Sequence, residues 1–329
     1  MNKVVIVLSI LIYLLVYLVR FNQGGWDVKV EIFKVFRSTL DKQVGVYLPS
    51  PHAELLSGII LGQNKDLPGE LKLALRDTST LHIVVASGQN LNMVAGFFLL
   101  LSGLIKRKLA IFLSFLAIIF YTLLTGAEVP ILRAAAMVSL GFLAQVFGRE
   151  RESIFIVIGV GALMLLINPN WITSLSFQLS FMATLGVVSV APIILRRLES
   201  LPRFIGSDLA VSLGAQMMVL PIIASNFHQL SLVSIPANLM VLWTIPFIMI
   251  GGVIFLVVSW IPALGWFLAQ VLNALLTYFI YIVQFFASLP FAWEYVGQFH
   301  WIVWVGYYLI VGGVLIALQK SMKINENGR

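Results

Sequence analysis

The residues of this sequence best suited to chemistry are amides, hydroxyls and an arginine that stand inside strongly apolar stretches. The first group lies in LHIVVASGQNLNMVAGF (81–97) and comprises His82, Ser87, Gly88, Gln89, Asn90 and Asn92. An unpaired polar group in hydrocarbon costs several kcal/mol, so such side chains indicate contact with protein or water. We therefore predict that a helix through 81–105 is broken or re-entrant at this group.

Three further polar groups lie in later apolar stretches. They are Glu128 with Arg133 in LLTGAEVPILRAAAM (123–137), Gln178 with Ser180 in SLSFQLSFMATLG (174–186), and Gln216 in SLGAQMMVLPIIASNFHQLS (212–231). A lone amide inside a membrane usually joins two helices, whereas four polar groups on four helices favour a shared hydrated interior. An arginine inside a span faces a partner or water. The alternative for Arg133 is a snorkelling side chain paired with Glu128.

None of these groups matches an enzyme site. The sequence contains no HExxH, no GxSxG and no phosphate loop ending in Gly-Lys-Ser/Thr, and it has only four histidines. His82 and Ser87 are five residues apart, which is a poor fit to one helical face for a nucleophile and its base. The sequence therefore predicts no catalytic residues, no metal and no cofactor.

The elements that must position these groups are membrane helices. The 329 residues are 60% hydrophobic and 11% charged, whereas soluble domains carry roughly 25% charged residues. The stretch 4–19 predicts a first transmembrane helix, and nine further spans are predicted at 81–105, 109–124, 131–148, 153–167, 172–195, 207–225, 232–258, 263–289 and 300–318. We expect an all-α, polytopic membrane bundle of about ten transmembrane helices. The span at 232–258 contains Pro236 and Pro246, so it too is expected to be broken or re-entrant.

The connections between the spans predict the orientation. KRK (106–108), RERE (149–152) and RRLESLPR (196–203) fall on one side, while TGAEVP, NPNW and NFHQLS carry no lysine or arginine. The excess of positive charge marks the cytoplasmic side, so both termini are predicted to be cytoplasmic. The segment 21–80 is then extracytoplasmic or interfacial. An amphipathic helix at 30–48 would lie on the bilayer surface, or it would be an ordinary helix packed on its neighbours.

At the four polar groups the sequence resembles the membrane channel domain of the bacterial ComEC/Rec2 competence family. The resemblance covers roughly 50–260, and the matching positions are His82, Ala86, Ser87 and Gly88; Thr125, Gly126, Pro130 and Arg133; Phe177–Phe181; and Gln216, Leu220, Pro221, Phe227, Leu230, Ser231 and Asn238. Asn90 stands where the family has a second histidine, and Asn92 where it has a glycine.

The resemblance implies a channel for transforming single-stranded DNA across the cytoplasmic membrane. It implies a channel domain at 81–318, after a transmembrane helix at 1–20 and the segment 21–80, and before a cytoplasmic tail at 319–329. The implied partners are single-stranded DNA, membrane lipids, a competence DNA receptor and a cytoplasmic translocase, and a homo-oligomer is a further expectation. The expected polar or pore-lining residues are His82, Ser87, Gly88, Gln89, Asn90, Asn92, Glu128, Arg133, Gln178, Ser180, Gln216 and Asn238.

Two departures from the family limit what the resemblance implies. The stretch 20–50 is too short for the family's oligonucleotide-binding-like domain, and no His-x-His-x-Asp-His motif of its nuclease-like domain is present. We therefore expect a channel core without nuclease activity. Two alternatives stay open: a secondary transporter for a small polar or anionic solute, which would use the broken helices, and a non-transporting scaffold remnant of the competence family.

Overall fold

The computed structural model of the protein describes residues 3–23, 32–63, 67–84, 88–100, 103, 105–127, 129–146, 153–198, 200–297 and 300–327. Its helices are α1 Lys3–Gln23, α2 Lys34–Tyr47, α3 His52–Leu61, α4 Gly69–Asp77, α5 Leu81–Val84, α6 Gly88–Leu100, α7 Arg107–Leu124, α8 Val129–Val146, α9 Ser153–Ile167, α10 Leu175–Leu185, α11 Ala191–Leu195, α12 Arg203–Phe227, α13 Ser234–Leu242, α14 Ile245–Val258, α15 Pro262–Ala287 and α16 Trp301–Asn327. A 3-10 turn occupies Pro169–Thr173, and a π-helical segment, Gly186–Val190, joins α10 to α11. The prediction of an all-α fold is confirmed.

Four of the described helices are long and apolar enough to cross a membrane: α7, α10 together with its continuation to Leu195, α12 from Ile205, and α15. A fifth span results if α13 and α14, which meet at a bend of 44°, are one broken crossing. Pro246 lies in the first turn of α14, where its missing N–H costs no helical hydrogen bond. The expected break in 232–258 is therefore present, while the finer count of ten spans exceeds the four or five found among the described residues.

A two-stranded antiparallel ribbon fixes which helix ends lie together. Strand β1, Gln229–Ser231, follows α12, and strand β2, Trp293–Tyr295, follows α15. Leu230 pairs with Glu294 in this ribbon. Because the ribbon holds the chain just before α13 beside the chain just after α15, the unit α13–α15 leaves and returns at the same side.

The core of the bundle includes α3, which belongs to the segment expected at the surface. All residues from Leu55 to Leu61 are buried. Gly252 of α14 permits this close packing, because a β-carbon there would lie 2.0 Å from Cδ1 of Ile60. An amphipathic surface segment is therefore not confirmed for 21–80. In α2 the two faces differ, since Val44 is buried while Val35 is 79% exposed.

Polar side chains of α1 and α2 tie these helices to the ends of others. Arg20 donates to the carbonyl oxygens of Leu166 and Ile167 at the end of α9, each over 3.1 Å. Arg37 donates to the Thr125 carbonyl oxygen beyond α7 over 2.9 Å. The final carbonyls of a helix lack partners within it and carry partial negative charge, so an arginine there satisfies both needs.

Candidate functional site

The central feature is a cluster around Arg133, which we define as Gly88, Arg133, Ser180, Phe181 and Thr184. Arg133 lies on α8 and is only 8% exposed. Its Nη1 donates to the carbonyl oxygen of Ser180 and to the hydroxyl of Thr184, both on α10. Its guanidinium carbon lies 5.9 Å from the centre of the Phe181 ring, within the range of a cation–π contact. The Arg133 cluster therefore joins α8 to α10.

Gly88 brings α6 into the same cluster. A β-carbon at Gly88 would lie 3.0 Å from Cβ of Ala134 and 3.2 Å from Nη2 of Arg133. Only a residue without a side chain fits there without displacing its neighbours, which gives Gly88 a packing reason. Three of the four polar sequence groups thus meet at one point of the bundle.

In the described part of the chain, the groups that contact the positive charge of Arg133 are all neutral. A carbonyl, a hydroxyl and a ring face contact the guanidinium, and its buried Nε has no described hydrogen-bond partner. Glu128, the carboxylate that would pair with it in the alternative interpretation, lies outside the described residues. The pairing of Arg133 with Glu128 therefore stays a prediction. What the cluster offers chemically is a buried positive charge that dipoles stabilise.

Asn90, at the start of α6, has a different environment. Its side chain is 1% exposed and donates to the carbonyl oxygen of Ile59 over 2.9 Å. The Tyr121 hydroxyl donates to the same carbonyl oxygen over 3.4 Å. Ile59 lies in the last turn of α3, so two side chains from α6 and α7 satisfy a carbonyl that the helix itself leaves open.

The other predicted members of the first polar group do not join Asn90. Asn92 is exposed, as is His82, whose Nδ1 lies 2.8 Å from the carbonyl oxygen of Ser79. Ser87 and the side chain of Gln89 lie outside the described residues. The group thus divides into a buried bond at Asn90, a local turn at His82 and an exposed amide at Asn92.

Gln178 lines a cavity of about 260 Å³ between α10, α12 and α16. Its Nε2 donates to the carbonyl oxygen of Ile172 over 2.9 Å. The residues around the cavity are Gln178, Pro221, Ile222, Ser225, Asn226, Trp304 and Tyr308. Sequence reasoning missed Trp304 and Tyr308, because α16 was taken as a plain span. Their spacing of four residues, on one helical face, was the available signal.

Gln216 and Asn238 lie on neighbouring helices but in separate contacts. The Nε2 of Gln216 donates to the hydroxyl of Ser234 over 2.6 Å, which joins α12 to α13. Asn238 is 8% exposed, and its buried Oδ1 has no partner among the described residues. No group of three or more His, Asp or Glu side chains suited to a metal occurs in the part of the chain that the structure describes.

The comparison with protein families identifies the chain. The family model described as Competence protein matches residues 59–321, about four fifths of the sequence. The chain belongs to this family. With its apolar helices, this membership makes the chain a membrane protein, and the match includes the last turn of α3, all of α4 and all four polar groups.

Three known proteins are also similar to this chain. ComE operon protein 3 of Bacillus subtilis is 29% identical over 210 residues, which cover 63% of this chain and 26% of the relative. The uncharacterized protein YcaI of Escherichia coli is 28% identical over 285 residues, 80% of this chain and 37% of the relative. An uncharacterized protein of Aquifex aeolicus is 33% identical over 172 residues, 50% of this chain and 38% of the relative.

In these alignments the chain spans between about a quarter and two fifths of each relative's length. The similarity to this Competence family therefore concerns one part of longer proteins. No solved structure matches the chain.

Proposed function

We propose that the chain forms the membrane-spanning part of a natural-competence system and passes single-stranded DNA across the cytoplasmic membrane. The observation that carries this proposal is the Arg133 cluster. There, Gly88, Arg133 and the Ser180 carbonyl meet from three of the sequence groups by which the chain resembles the ComEC/Rec2 family. Membership of the Competence protein family supports the same role.

The proposed topology has ten spans and two cytoplasmic termini. Shorter apolar helices, including α1, α6, α8, α9 and α16, supply the crossings beyond the long ones. In this topology Thr125 faces outward and Ser259 faces inward. Because Arg37 bonds to Thr125 and Tyr47 donates to the Ser259 carbonyl oxygen over 2.7 Å, we place α2 and α3 as a re-entrant pair inside the bundle.

The role of Arg133 follows from the number of phosphate charges that a passing strand would place in the membrane. Phosphates follow one another at about 3.4 Å along a stacked strand, so a core of ~30 Å holds roughly nine charges. One buried arginine cannot neutralise them. The path must therefore be wet and lined by uncharged polar groups, and Arg133 acts by holding α6, α8 and α10 in register.

The cavity beside Gln178 suits the outer entrance of that path. It combines amides of Gln178 and Asn226 with the rings of Trp304 and Tyr308. Stacking on aromatic rings binds bases of a single strand with little sequence preference. A competence DNA receptor outside and a translocase inside are the partners that this role requires, and the translocase would supply the energy.

The test is uptake of labelled DNA by a strain that lacks the gene. We expect protected single-stranded label inside cells to disappear on deletion and to return when the native gene is supplied. Arg133→Ala should fail to restore uptake, whereas Lys108→Gln, an exposed change at the start of α7, should restore it. Normal uptake in the deletion strain would remove the DNA-transport role and leave the transporter and scaffold alternatives.

A further inference from the structure

Helix α16 is bonded to α12 at the place where α12 contains a proline. Pro221 lies inside α12. A regular helix pairs each carbonyl with the N–H four residues later, and proline has no N–H, so Pro221 leaves the Met217 carbonyl without its helical donor. The Tyr307 hydroxyl of α16 donates to this carbonyl oxygen over 2.9 Å. Tyr307 thus replaces the donor that Pro221 lacks.

The bond lies inside a membrane span. The candidate span Ile205–Phe227 contains both Met217 and Pro221. Hydrocarbon holds no water that could replace a missing donor, so a proline inside a membrane helix needs a donor from a neighbouring helix, a side chain or an ordered water. Tyr307 meets this need. Helix α16 therefore cannot move away from α12 unless the carbonyl is left unpaired in lipid or water enters.

The next residue of α16, Tyr308, makes a bond of a different kind. Its hydroxyl donates to the Met218 carbonyl oxygen, also over 2.9 Å. Ile222, four residues after Met218, has an N–H, so α12 itself can supply the donor for this carbonyl. The Tyr308 bond is therefore an addition to a complete helix, whereas the Tyr307 bond replaces a missing one.

Pro221 separates a tightly packed part of α12 from a more exposed end. In the turns before the proline, a β-carbon on Gly214 would lie 2.9 Å from the amide nitrogen of Ala191, so the backbone of α12 touches that of α11. After the proline, residues 225–227 are exposed. Tyr307 bonds α16 to α12 between these two parts.

The helices joined by this bond form walls of the cavity beside Gln178. The residues of α12 and α16 that line it are Pro221, Ile222, Ser225, Asn226, Trp304 and Tyr308. We propose that Tyr307 is a positioning residue for this cavity, because its bond to α12 sets the place of α16 and so the separation of the two walls. That the cavity takes the bases of a single strand rests on the proposed function, whereas the placement of α16 does not.

A cycle of substitutions separates this role from general stabilisation. Tyr307→Phe removes the hydroxyl and keeps the ring, so the Met217 carbonyl must reach water, and the cavity begins one turn away at Pro221. Pro221→Ala restores the N–H that pairs with this carbonyl within α12. Loss of the Tyr307 hydroxyl should therefore part the cavity walls with proline at 221, but not with alanine there. Tyr308→Phe is the matched control, because its carbonyl has a helical donor in both backgrounds.

The measurement is hydrogen exchange of the full chain in lipid nanodiscs, read by mass spectrometry. We expect Tyr307→Phe to speed exchange at 222–227 and in the first two turns of α16 by at least about tenfold. Tyr308→Phe should change it by less than about threefold. With Pro221→Ala present, Tyr307→Phe should have no larger effect than Tyr308→Phe. Gel filtration and exchange in α7 establish that each variant is folded.

Binding of a fluorescent oligothymidylate to the same nanodiscs tests the link to DNA. We expect Tyr307→Phe to weaken binding by about tenfold, and the double variant with Pro221→Ala to bind as the native chain does. An absence of binding by the native chain would remove the DNA role of the cavity, while the exchange experiment would still decide whether Tyr307 positions α16.

Two outcomes would overturn the role of Tyr307. Equal exchange in the Tyr307→Phe and Tyr308→Phe variants would show that both hydroxyls only add stability. An effect of Tyr307→Phe that persists in full with alanine at position 221 would show that the missing N–H is not the reason for the bond. The comparison of the two tyrosine variants keeps the test decisive if Pro221→Ala does not fold, since both retain the proline.

Discussion

The side-chain amide of Asn90 donates to the main-chain carbonyl oxygen of Ile59 over 2.9 Å, across 31 positions of the sequence. The bond ties the first turn of α6 to the last turn of the buried helix α3. Asn90 thus holds the start of α6 against a core helix. Its amide is committed to a carbonyl and does not face an exposed surface.

Asn90→Leu should therefore destabilise the fold, while Asn92→Leu should not. Loss of Asn90 leaves a buried carbonyl with only the longer bond from Tyr121, which we expect to cost about 1–3 kcal/mol. Asn92 is exposed, so leucine there should change stability by less than about 0.5 kcal/mol. Thermal unfolding in detergent and protein level in cells measure both. A reduction of DNA uptake by Asn92→Leu at normal protein level would indicate a path at α6.

Arg133 and Thr184 should be energetically coupled. Arg133→Ala removes the donor to two acceptors on α10, and Thr184→Val removes one of those acceptors while keeping its shape. A double-mutant cycle on thermal stability should give a coupling of roughly 0.5–3 kcal/mol. Thr173→Val is the control, because Thr173 is exposed and its hydroxyl bonds only to the nearby Asn170 carbonyl. A coupling for Arg133 with Thr184 no larger than that with Thr173 would contradict the contact.

Gly186 and Gly214 should not tolerate alanine. A β-carbon on Gly186 would lie 2.1 Å from the carbonyl oxygen of Gly214, so the π-helical segment and α12 touch backbone to backbone. Overpacking of this kind costs about 1–3 kcal/mol. Gly159→Ala on α9 is the matched change, since nothing lies within 4 Å there, and it should be neutral or stabilise by up to ~1 kcal/mol. Equal melting temperatures for the Gly186 and Gly159 variants would count against the close approach.

Local patterns predicted the simplest parts of this fold. The spans at 109–124 and 153–167 correspond closely to α7, Arg107–Leu124, and α9, Ser153–Ile167. Of these two helices, α7 is long and apolar enough to cross a membrane. Such apolar helices are visible in hydropathy because lipid contact depends on the segment alone. Pro246 likewise predicted the break before α14, because a missing N–H acts within one turn.

Tertiary partners were beyond the reach of such patterns. The ten residues of α3 are too few to cross a bilayer, so their burial follows from packing against the helices around them: α2, α5, α15 and α14, whose Gly252 permits close contact. For Arg133 the sequence indicated a partner or a water-filled cavity, with a pair to Glu128 as the alternative; its described partners, Ser180 and Thr184, lie 47 and 51 positions away. The spacing of polar residues indicates that a partner is needed, but not which helix provides it.

The orientation of the membrane helices can be tested with introduced cysteines, because the native chain contains none. The β1–β2 ribbon requires positions on both of its flanks to face the same side. Leu232, which is 58% exposed, and Glu294, which is exposed, suit this test. Cysteine at either position should react with an impermeant maleimide in intact cells, whereas cysteine at Lys108 or Arg197 should react only after permeabilisation.

Ser57 is unsuitable, since it is 2% exposed and would resist the reagent on either side. Opposite results for positions 232 and 294 would contradict the ribbon. Protection of both, with reaction at 108 and 197, would keep the ribbon and reverse the predicted cytoplasmic termini.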